Sequence, residues 1–499
     1  MSAPITRAEE TDYKETSRHA DVMRFVEALR SKGDPRLHVT RFGTSPEGRE
    51  LPLLVLSTRG VQTPAQAKAA GLPVVLIING IHAGEVEGKE AALMLVRDML
   101  AGPGGDLLEK MTLLIVPLFN PDGNDRIDPA NRVLNLAKLE GQIGPIGGVG
   151  TRVNASGVNL NRDYLRQDSL EMRMLSREVV QAWEPTLTVD CHATNGSVHR
   201  FALTYDTPHT IETGRREPIE YMRDKFCPAI TSRLKSRTSL DTFFYGNFVT
   251  DEGGQGDGWM TYTHHPRFGS NYRGLTNRLD LLAECYSYLT FHDRVFTTYE
   301  FLYEVLTLAA ENGRDMLQVV AQSQRPPDRI AVRYKLDKFP GTVEILTRDP
   351  RTLEGKPSSV KIPHFANFVG TVVVDRPTAY AIPEAIAKRL QGHGLTVSQL
   401  AADKAVAVDV ATVAAAHSEA SRKILEARAS GETEIDASYA RGSRTLRAGQ
   451  WIVKTEQPLG AIAVYLCEAR SDDGVVACEM MAAPAPGAEF PILRVVDPV

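Results

Sequence analysis

Short apolar runs alternate with amphipathic stretches through about the first 320 residues of the chain. Short apolar runs predict buried strands at Leu51–Ser57, Val74–Asn79, Leu113–Leu118 and Thr186–Asp190. Helical spacing or an Ala- and Leu-rich composition predicts helices at Tyr13–Lys32, His82–Leu100, Ser169–Trp183 and Leu289–Val320. This alternation predicts an α/β fold with a largely buried sheet, in which ligands bind beyond the carboxyl ends of the strands.

The last third of the chain has a different pattern. The proline-containing stretch Gln322–Pro327 predicts a linker, which would separate a first domain, residues 1–325, from a smaller second domain, residues 328–499. In the second domain we expect strands at Ile330–Leu346, Thr371–Val374, Trp451–Val453 and Ile462–Leu466, and helices at Pro383–Gln391 and Ala411–Ala429. This order predicts an α+β domain of unknown role, in which little looks catalytic.

Composition and charge exclude several classes of protein. The chain has 499 residues, 57 basic and 62 acidic side chains and a formal net charge of -5, with 42% hydrophobic and 24% charged residues. These fractions are ordinary for a globular protein and exclude a disordered chain. Near-balanced charge without a basic run argues against a nucleic-acid partner. No segment reaches the roughly 18 apolar residues of a membrane span, so no membrane partner is expected.

The five cysteines are scattered, and no Cys-x-x-Cys pair occurs. This pattern predicts buried, reduced thiols rather than a disulfide framework or a thiolate zinc site. The stretch from Met1 to His19 is polar and has no apolar core typical of a signal peptide. The sequence as written therefore predicts a cytoplasmic protein, or a periplasmic or secreted one if a leader has been removed.

Candidate metal ligands follow the predicted strand Val74–Asn79. His82 and Glu85 lie three residues apart at the expected start of a helix, where two such side chains share one face. Imidazole and carboxylate can occupy two corners of a zinc tetrahedron. With 12 histidines and 62 acidic residues, one such spacing is also expected by chance. The alternative is a solvated helix N-terminus with a favourably placed glutamate.

A catalytic zinc site needs a third protein ligand. His192 qualifies because it follows the predicted strand Thr186–Asp190 at the same edge of the sheet. We expect His199 and His209 to be ordinary surface histidines. The pair His264-His265 is a rival, although adjacent residues of an extended segment rarely point at one metal.

Three motifs in this order resemble the zinc metallocarboxypeptidases: His82-x-x-Glu85, the turn Asn120-Pro-Asp-Gly, and Gly157-Val-Asn-Leu-Asn161-Arg162, followed by His192. The stretch Gly43-x-Ser45-x-Glu47-Gly48-Arg49 is similar to an early signature of the same family. The resemblance covers about residues 10–320. It implies a mixed, mostly parallel eight-stranded sheet flanked by helices, and one zinc ion per chain held by His82, Glu85 and His192.

The resemblance also implies roles for other residues. Asn161 and Arg162 match the pair that binds the terminal carboxylate of the substrate, a task suited to the planar fork of a guanidinium. Glu284 matches the family's general base, which activates the zinc-bound water and then protonates the leaving amine. The alternative for Glu284 is a salt bridge at the edge of the core, for example with Arg278.

Two positions depart from the family pattern. Where digestive members carry the arginine that polarises the scissile carbonyl, this sequence has Asn135, and the candidates become Arg132 and Arg126. We favour Arg132, because a shifted loop can return its charge to the same place. The tyrosine that caps the substrate has two candidates, Tyr262 and Tyr272.

The leading hypothesis is a zinc-dependent hydrolase that cleaves an amide or peptide bond next to a free carboxylate. Its substrate would be a peptide or an N-acyl amino acid, and an oligomer could form through the second domain. The alternatives are a deacylase or a cell-wall peptide amidase on the same fold, or a non-catalytic zinc- or peptide-binding module. A serine hydrolase is disfavoured because no Gly-x-Ser-x-Gly motif occurs.

Overall fold

The computed structural model describes residues 3–102, 104–419 and 432–498 of the chain. The strands are β1 (Leu37–Thr44), β2 (Glu50–Leu56), β3 (Val74–Asn79), β4 (Thr112–Val116), β5 (Leu187–Thr194), β6 (Leu203–Asp206), β7 (Thr242–Phe244), β8 (Asn247–Phe248), β9 (Trp259–Met260), β10 (Leu279–Tyr286), β11 (Arg329–Lys338), β12 (Val343–Asp349), β13 (Lys356–Ile362), β14 (His364–Asp375), β15 (Ala379–Ile382), β16 (Val397–Gln399), β17 (Lys404–Glu419), β18 (Glu432–Leu446), β19 (Trp451–Lys454) and β20 (Leu493–Val495).

The α-helices are α1 (Arg7–Glu10), α2 (His19–Arg30), α3 (Pro64–Ala70), α4 (Glu87–Ala101), α5 (Pro121–Asp125), α6 (Leu170–Met174), α7 (Arg216–Glu220), α8 (Cys227–Thr238), α9 (Gly269–Gly274), α10 (Phe291–Gln322), α11 (Glu384–Gly392) and α12 (Gly460–Cys467). Two π-helical segments, Leu175–Gln181 and Tyr221–Phe226, extend α6 and α7. Short 3-10 turns lie at Gly105–Glu109 and Leu160–Arg162.

Eight strands form one sheet, in the order β1-β2-β4-β3-β5-β10-β6-β7. Four of its seven neighbouring pairs are parallel and three are antiparallel. The mixed, mostly parallel sheet that the resemblance implied is therefore confirmed. Because β3, β5 and β10 run parallel side by side, their carboxyl ends meet at one edge of the sheet.

Residue alternation along the strands divides the core between the two faces of the sheet. On one face, side chains such as Val75 and Ile77 of β3 pack with α2, α4, α8 and α10. On the other face, Leu76 and Ile78 belong to a second cluster, which also contains Ile462 and other side chains of α11 and α12. The two parts of the chain thus share one continuous apolar core.

The C-terminal part contains its own sheets, as the α+β prediction required. A six-stranded sheet has the order β16-β19-β15-β20-β17-β18, and β12 pairs with β13 in a two-stranded ribbon. A third sheet, β11-β14-β9-β8, combines strands from both parts, because β9 pairs in parallel with β14. Backbone hydrogen bonds therefore also connect the two parts of the chain.

Two elements differ from the sequence predictions. The apolar run Ile462–Leu466 lies in helix α12, whose residues are all buried, because a short apolar run suits a buried helix as well as a strand. The stretch Ala411–Ala429, predicted as a helix, is strand β17 up to Glu419, and its remainder lies outside the described residues. Alternating small and β-branched residues explain the strand.

All five cysteines are free and buried, as predicted. None of the described helices combines the length and the apolar character needed to cross a membrane.

The shared core generates a stability prediction. We expect Ile462→Ala in α12 to lower the free energy of unfolding by about 2–5 kcal/mol, because Ile462 is fully buried and its loss leaves a cavity. Urea denaturation followed by tryptophan fluorescence measures the change. Ile146→Ala is the matched control, since Ile146 is 80% exposed. Equal denaturation midpoints for the two variants would contradict the packing of α12 into the common core.

Candidate metal centre and active site

The three predicted metal ligands come together at the edge where β3 and β5 end. His82 and Glu85 lie in a tight turn after β3, in which the Glu85 amide donates to the His82 carbonyl (3.0 Å). Helix α4 begins only at Glu87, so the expectation that the pair lies on the first turn of a helix is wrong. His192 lies within β5, which extends to Thr194 rather than ending at Asp190. All three side chains are at most 5% exposed.

The distances among the three side chains fit a tetrahedral metal site. His82 Nδ1 lies 3.0 Å from Glu85 Oε1, and His192 Nδ1 lies 2.9 Å from Glu85 Oε2. The two Nδ1 atoms are 3.2 Å apart. Tetrahedral zinc with nitrogen ligands at about 2.0–2.1 Å separates two ligand atoms by about 3.3 Å. The three residues therefore fit zinc as a ligand set.

A polar side chain lies on the far side of each imidazole ring. His82 Nε2 lies 3.1 Å from Asn159 Oδ1, and His192 Nε2 lies 3.2 Å from Asp190 Oδ1. Asn159 Oδ1 is an acceptor, so His82 Nε2 carries the hydrogen and His82 Nδ1 presents its lone pair to Glu85 and His192. Neither Asn159 nor Asp190 was predicted, although both lie within two or three residues of a predicted site residue.

The protonation states follow from burial and charge. Burial and the Arg152 guanidinium lower the pKa of His82 to about 3. Burial alone would raise the pKa of Glu85, but His82, His192 and Arg132 outweigh it and hold that pKa well below its usual value. A neutral imidazole and an ionised carboxylate are the forms that bind a metal.

Two arginines lie beside Glu85. Arg132 Nη1 is 3.1 Å from Glu85 Oε1, and Arg152 Nη1 is 3.4 Å from the same oxygen. Gly84 makes room for Arg132, because a Cβ at this position would come within 2.7 Å of the Arg132 Cδ atom. The other predicted candidate, Arg126, pairs with Glu47 at the surface.

Arg152 was missed in the sequence. It lies in Thr151-Arg152-Val153, shortly before the Gly157–Arg162 motif, and nothing in the local pattern separates it from a surface arginine. Asn135, at the position where the family has its arginine, donates its backbone amide to Glu140.

Asn161 and Arg162 lie in the 3-10 turn Leu160–Arg162, at the end of the Gly157–Arg162 motif. The Arg162 Cζ atom is 3.6 Å from the centroid of the Phe268 ring, a cation–π contact that orients the plane of the guanidinium. Asn161 Oδ1 accepts a hydrogen bond from the Gly269 amide (2.8 Å). Both side chains are thus positioned by consecutive residues of a later segment.

Glu284 lies beside His192. The two residues pair in register between the parallel strands β10 and β5. Burial and the charge of Glu85 raise the pKa of Glu284 to about 8, against the opposing effects of His192 and Arg152. Arg278, the alternative partner from the sequence, instead bonds to Glu184 (3.0 Å). Glu284 therefore faces the three-residue cluster rather than a salt bridge with Arg278.

The two predicted tyrosines occupy different environments. Tyr262 is half-buried, and its ring packs against His209 (4.5 Å between centroids). Tyr272 is buried, and its hydroxyl bonds to His393 Nδ1 (2.8 Å) in the protein interior. Tyr245 was not predicted, but it contacts the Tyr262 ring (5.7 Å), and the charge of Glu284 contributes to its raised pKa.

Histidines outside the centre are engaged elsewhere. His264, His265 and Asp472 form a second group whose ligand atoms lie within 4.8 Å of one another. There His264 Nε2 donates to Asp472 Oδ2 (2.8 Å), and the Tyr465 hydroxyl donates to the other oxygen (2.5 Å). The carboxylate is therefore already satisfied by protein donors.

The expectation that His199 and His209 lie at the surface is wrong, because both are buried. His199 stacks on Tyr286 with 3.9 Å between the ring centroids. His209 Nε2 lies 3.1 Å from Asp206 Oδ2. The polar stretch around them folds inward because aromatic and carboxylate partners are available there.

Curated proteins similar to this chain include carboxypeptidase 2 of Trichophyton rubrum and carboxypeptidase D of Mus musculus. The first is 36% identical over 83 residues, which span 16% of this chain and 15% of the relative. The second is 31% identical over 160 residues, which span 29% of this chain and 11% of the relative. The chain thus covers only a small part of the length of either relative.

Solved structures with a similar fold include a metallo-carboxypeptidase from Burkholderia cenocepacia, with a TM-score of 0.41 and 20% identity over 57% of this chain and 67% of that one. Another is a metallo-carboxypeptidase from Pseudomonas aeruginosa, with a TM-score of 0.40 and 19% identity over 58% of this chain and 68% of that one.

The family model described as zinc carboxypeptidase matches residues 22–265. The matched stretch contains the three candidate metal ligands and the Asn161-Arg162 pair, whereas Glu284 lies beyond its end. Over residues 22–265 the chain is therefore similar to the zinc carboxypeptidases.

Proposed function

We propose that the protein is a zinc-dependent hydrolase that cleaves an amide or peptide bond adjacent to a free carboxylate. The observation that carries this proposal is the preorganised group His82, Glu85 and His192, whose donor atoms lie 2.9–3.2 Å apart with Glu284 beside them. An acid next to a metal ligand set, with an arginine nearby, matches the requirements of metal-assisted hydrolysis.

The three ligands would hold one zinc ion. Zinc bound there would act as a Lewis acid that polarises the scissile carbonyl and lowers the pKa of water. The Glu284 carboxylate accepts a proton from the attacking water and delivers it to the nitrogen of the leaving amine. Its partly buried position beside His192 supports this role, because a desolvated carboxylate is the stronger base.

Arg162 and Asn161 bind the free carboxylate of the substrate. The guanidinium pairs with both carboxylate oxygens, and the Phe268 ring behind it restricts its rotation. Arg132 supplies positive charge to the polarised carbonyl oxygen, with Arg152 as a second source of charge beside Glu85. Tyr262 is the better placed of the two candidate capping tyrosines, since the Tyr272 hydroxyl is bonded to His393.

The catalytic proposal is tested by Glu284→Gln. We expect the variant to lose at least about 100-fold in kcat, because its amide cannot take up the proton of water. Hydrolysis of N-acyl amino acids and short peptides measures the rate, and elemental analysis measures zinc. Glu184→Gln, which removes the partner of Arg278, is the control and should leave the rate unchanged. If Glu284→Gln keeps full activity, another residue must act as the base. If the wild type binds zinc but hydrolyses no substrate, the protein is better described as a non-catalytic module.

The metal centre is tested by zinc content. We expect about one zinc per chain in the purified protein and a loss of both zinc and activity in His192→Ala, because two remaining ligands hold the ion weakly. His417→Ala, which alters an exposed histidine, is the matched control. A zinc content below about half an ion per chain, with no activity restored by added metal, would contradict the proposal.

The role of Arg162 is tested with paired substrates. We expect Arg162→Met to lower kcat/KM for substrates with a free carboxylate by about 30-fold, equivalent to about 2 kcal/mol, because a charge-assisted pair is lost. The same peptides with an amidated C-terminus should be hydrolysed equally by variant and wild type. Arg177→Met, at an exposed arginine of the π-helical segment, is the control. An equal loss of kcat/KM on both substrates would show that Arg162 does not recognise the free carboxylate.

A further inference from the structure

We propose that the C-terminal region, residues 328–499, positions the carboxylate-binding pair of the active site through one segment, residues 264–273. This proposal rests on the proposed function and assigns a role to the part of the chain that follows the hydrolase fold. Residues 264–273, here called the bridging segment, contact both the site and the C-terminal region.

One side of the bridging segment faces the site. The Phe268 ring lies 3.6 Å from the guanidinium carbon of Arg162, and the Gly269 amide donates to Asn161 Oδ1 (2.8 Å). Gly269 cannot be enlarged, because a Cβ would lie 2.7 Å from the Tyr164 ring. Both members of the carboxylate pair therefore depend on where these two consecutive residues lie.

The same segment also reaches the metal centre. Its last turn carries Arg273, whose Nη2 donates to Asp190 Oδ2 (2.8 Å). Asp190 in turn lies behind His192. Arg273 also donates to Asp280 and to the Tyr164 hydroxyl, so these bonds hold this end of the segment independently of the C-terminal region.

The other side of the segment is held by side chains of the C-terminal region. The Asp473 carboxylate accepts from the backbone amide of Arg267 and from its Nε, both at 2.8 Å. Asp472 accepts from His264 Nε2 (2.8 Å), and His393 bonds to the Tyr272 hydroxyl (2.8 Å). Four hydrogen bonds to three residues of the C-terminal region thus fix one short stretch.

The Arg267–Asp473 pair dominates these contacts. Asp473 is fully buried and Arg267 is 7% exposed, so neither charge can be satisfied by solvent. Removing one partner of such a pair leaves an uncompensated buried charge. Because Asp473 also accepts the backbone amide of Arg267, it fixes the main chain one residue before Phe268. Displacements of about 1 Å at a positioning group are enough to cost large factors in catalysis.

Asp473→Asn tests the proposal. The backbone amide and the Nε of Arg267 donate to different oxygens of Asp473, and asparagine replaces one of these oxygens by an NH2 group, which cannot accept a hydrogen bond. We expect KM for free-carboxylate substrates to rise at least about tenfold, with kcat within about threefold and zinc content unchanged. Discrimination between free and amidated C-termini should fall by the same factor. A purely structural role would lower the active fraction, and hence kcat, without changing KM.

The matched control is Glu468→Gln. Glu468 forms a buried pair with Arg494 in the C-terminal region and bonds to Tyr380 and Tyr439, none of which belongs to the bridging segment. We expect its KM to equal that of the wild type. If Asp473→Asn does not fold, the double variant Arg267→Met with Asp473→Leu carries the same expectation, because it leaves no unpaired charge.

The outcomes separate the two proposals. An unchanged KM in a folded Asp473 variant, or an equal rise in KM for Glu468→Gln, would overturn the positioning role while leaving the hydrolase proposal intact. Wild-type protein that contains zinc but hydrolyses neither kind of substrate would contradict the proposed function itself.

Discussion

The buried guanidinium of Arg273 supports the structure behind the candidate metal ligands. It donates to Asp190, to Asp280 and to the Tyr164 hydroxyl, and Asp190 and Asp280 are no more than 1% exposed. Isolated charges at this depth would be strongly unfavourable, so each one depends on the others. Burial opposes the ionisation of Asp190, but His192 and Arg273 outweigh it and lower the pKa of Asp190 to about 2. An ionised Asp190 in turn orients the His192 ring.

This network also explains why the site is assembled from distant parts of the chain. Asp190 lies on β5, Asp280 lies on β10, and Arg273 lies on the short helix α9, between them in sequence. Parallel pairing of β5 with β10 places Glu284 beside His192, while Arg273 bonds to one aspartate of each strand. Strand register and buried charge therefore act together to place the candidate base beside the candidate ligands.

Sequence patterns predicted the parts of this arrangement that are local. Histidines and acids that follow apolar runs identified His82, Glu85 and Glu284, because parallel strands end at one edge of the sheet. Asn159 and Arg152 have no distinguishing local pattern, since their partners His82 and Glu85 are distant in sequence. The same holds for the pairing of Asp190 with Arg273. The run Ile462–Leu466 was wrongly predicted as a strand because burial on all sides removes the periodicity that separates helix from strand.

Two kinds of interaction, apolar packing and hydrogen bonds to carboxylates, connect the C-terminal region to the rest of the chain. Apolar side chains of α11 and α12 share a core cluster with the central sheet, and burial of that kind is strong but not directional. It holds the C-terminal region against the sheet without fixing any one atom. The carboxylates of Asp472 and Asp473 add direction, because each accepts hydrogen bonds from particular donors of residues 264–273. The apolar contacts therefore hold the C-terminal region against the central sheet. The polar contacts determine the position of the segment that lies against Arg162.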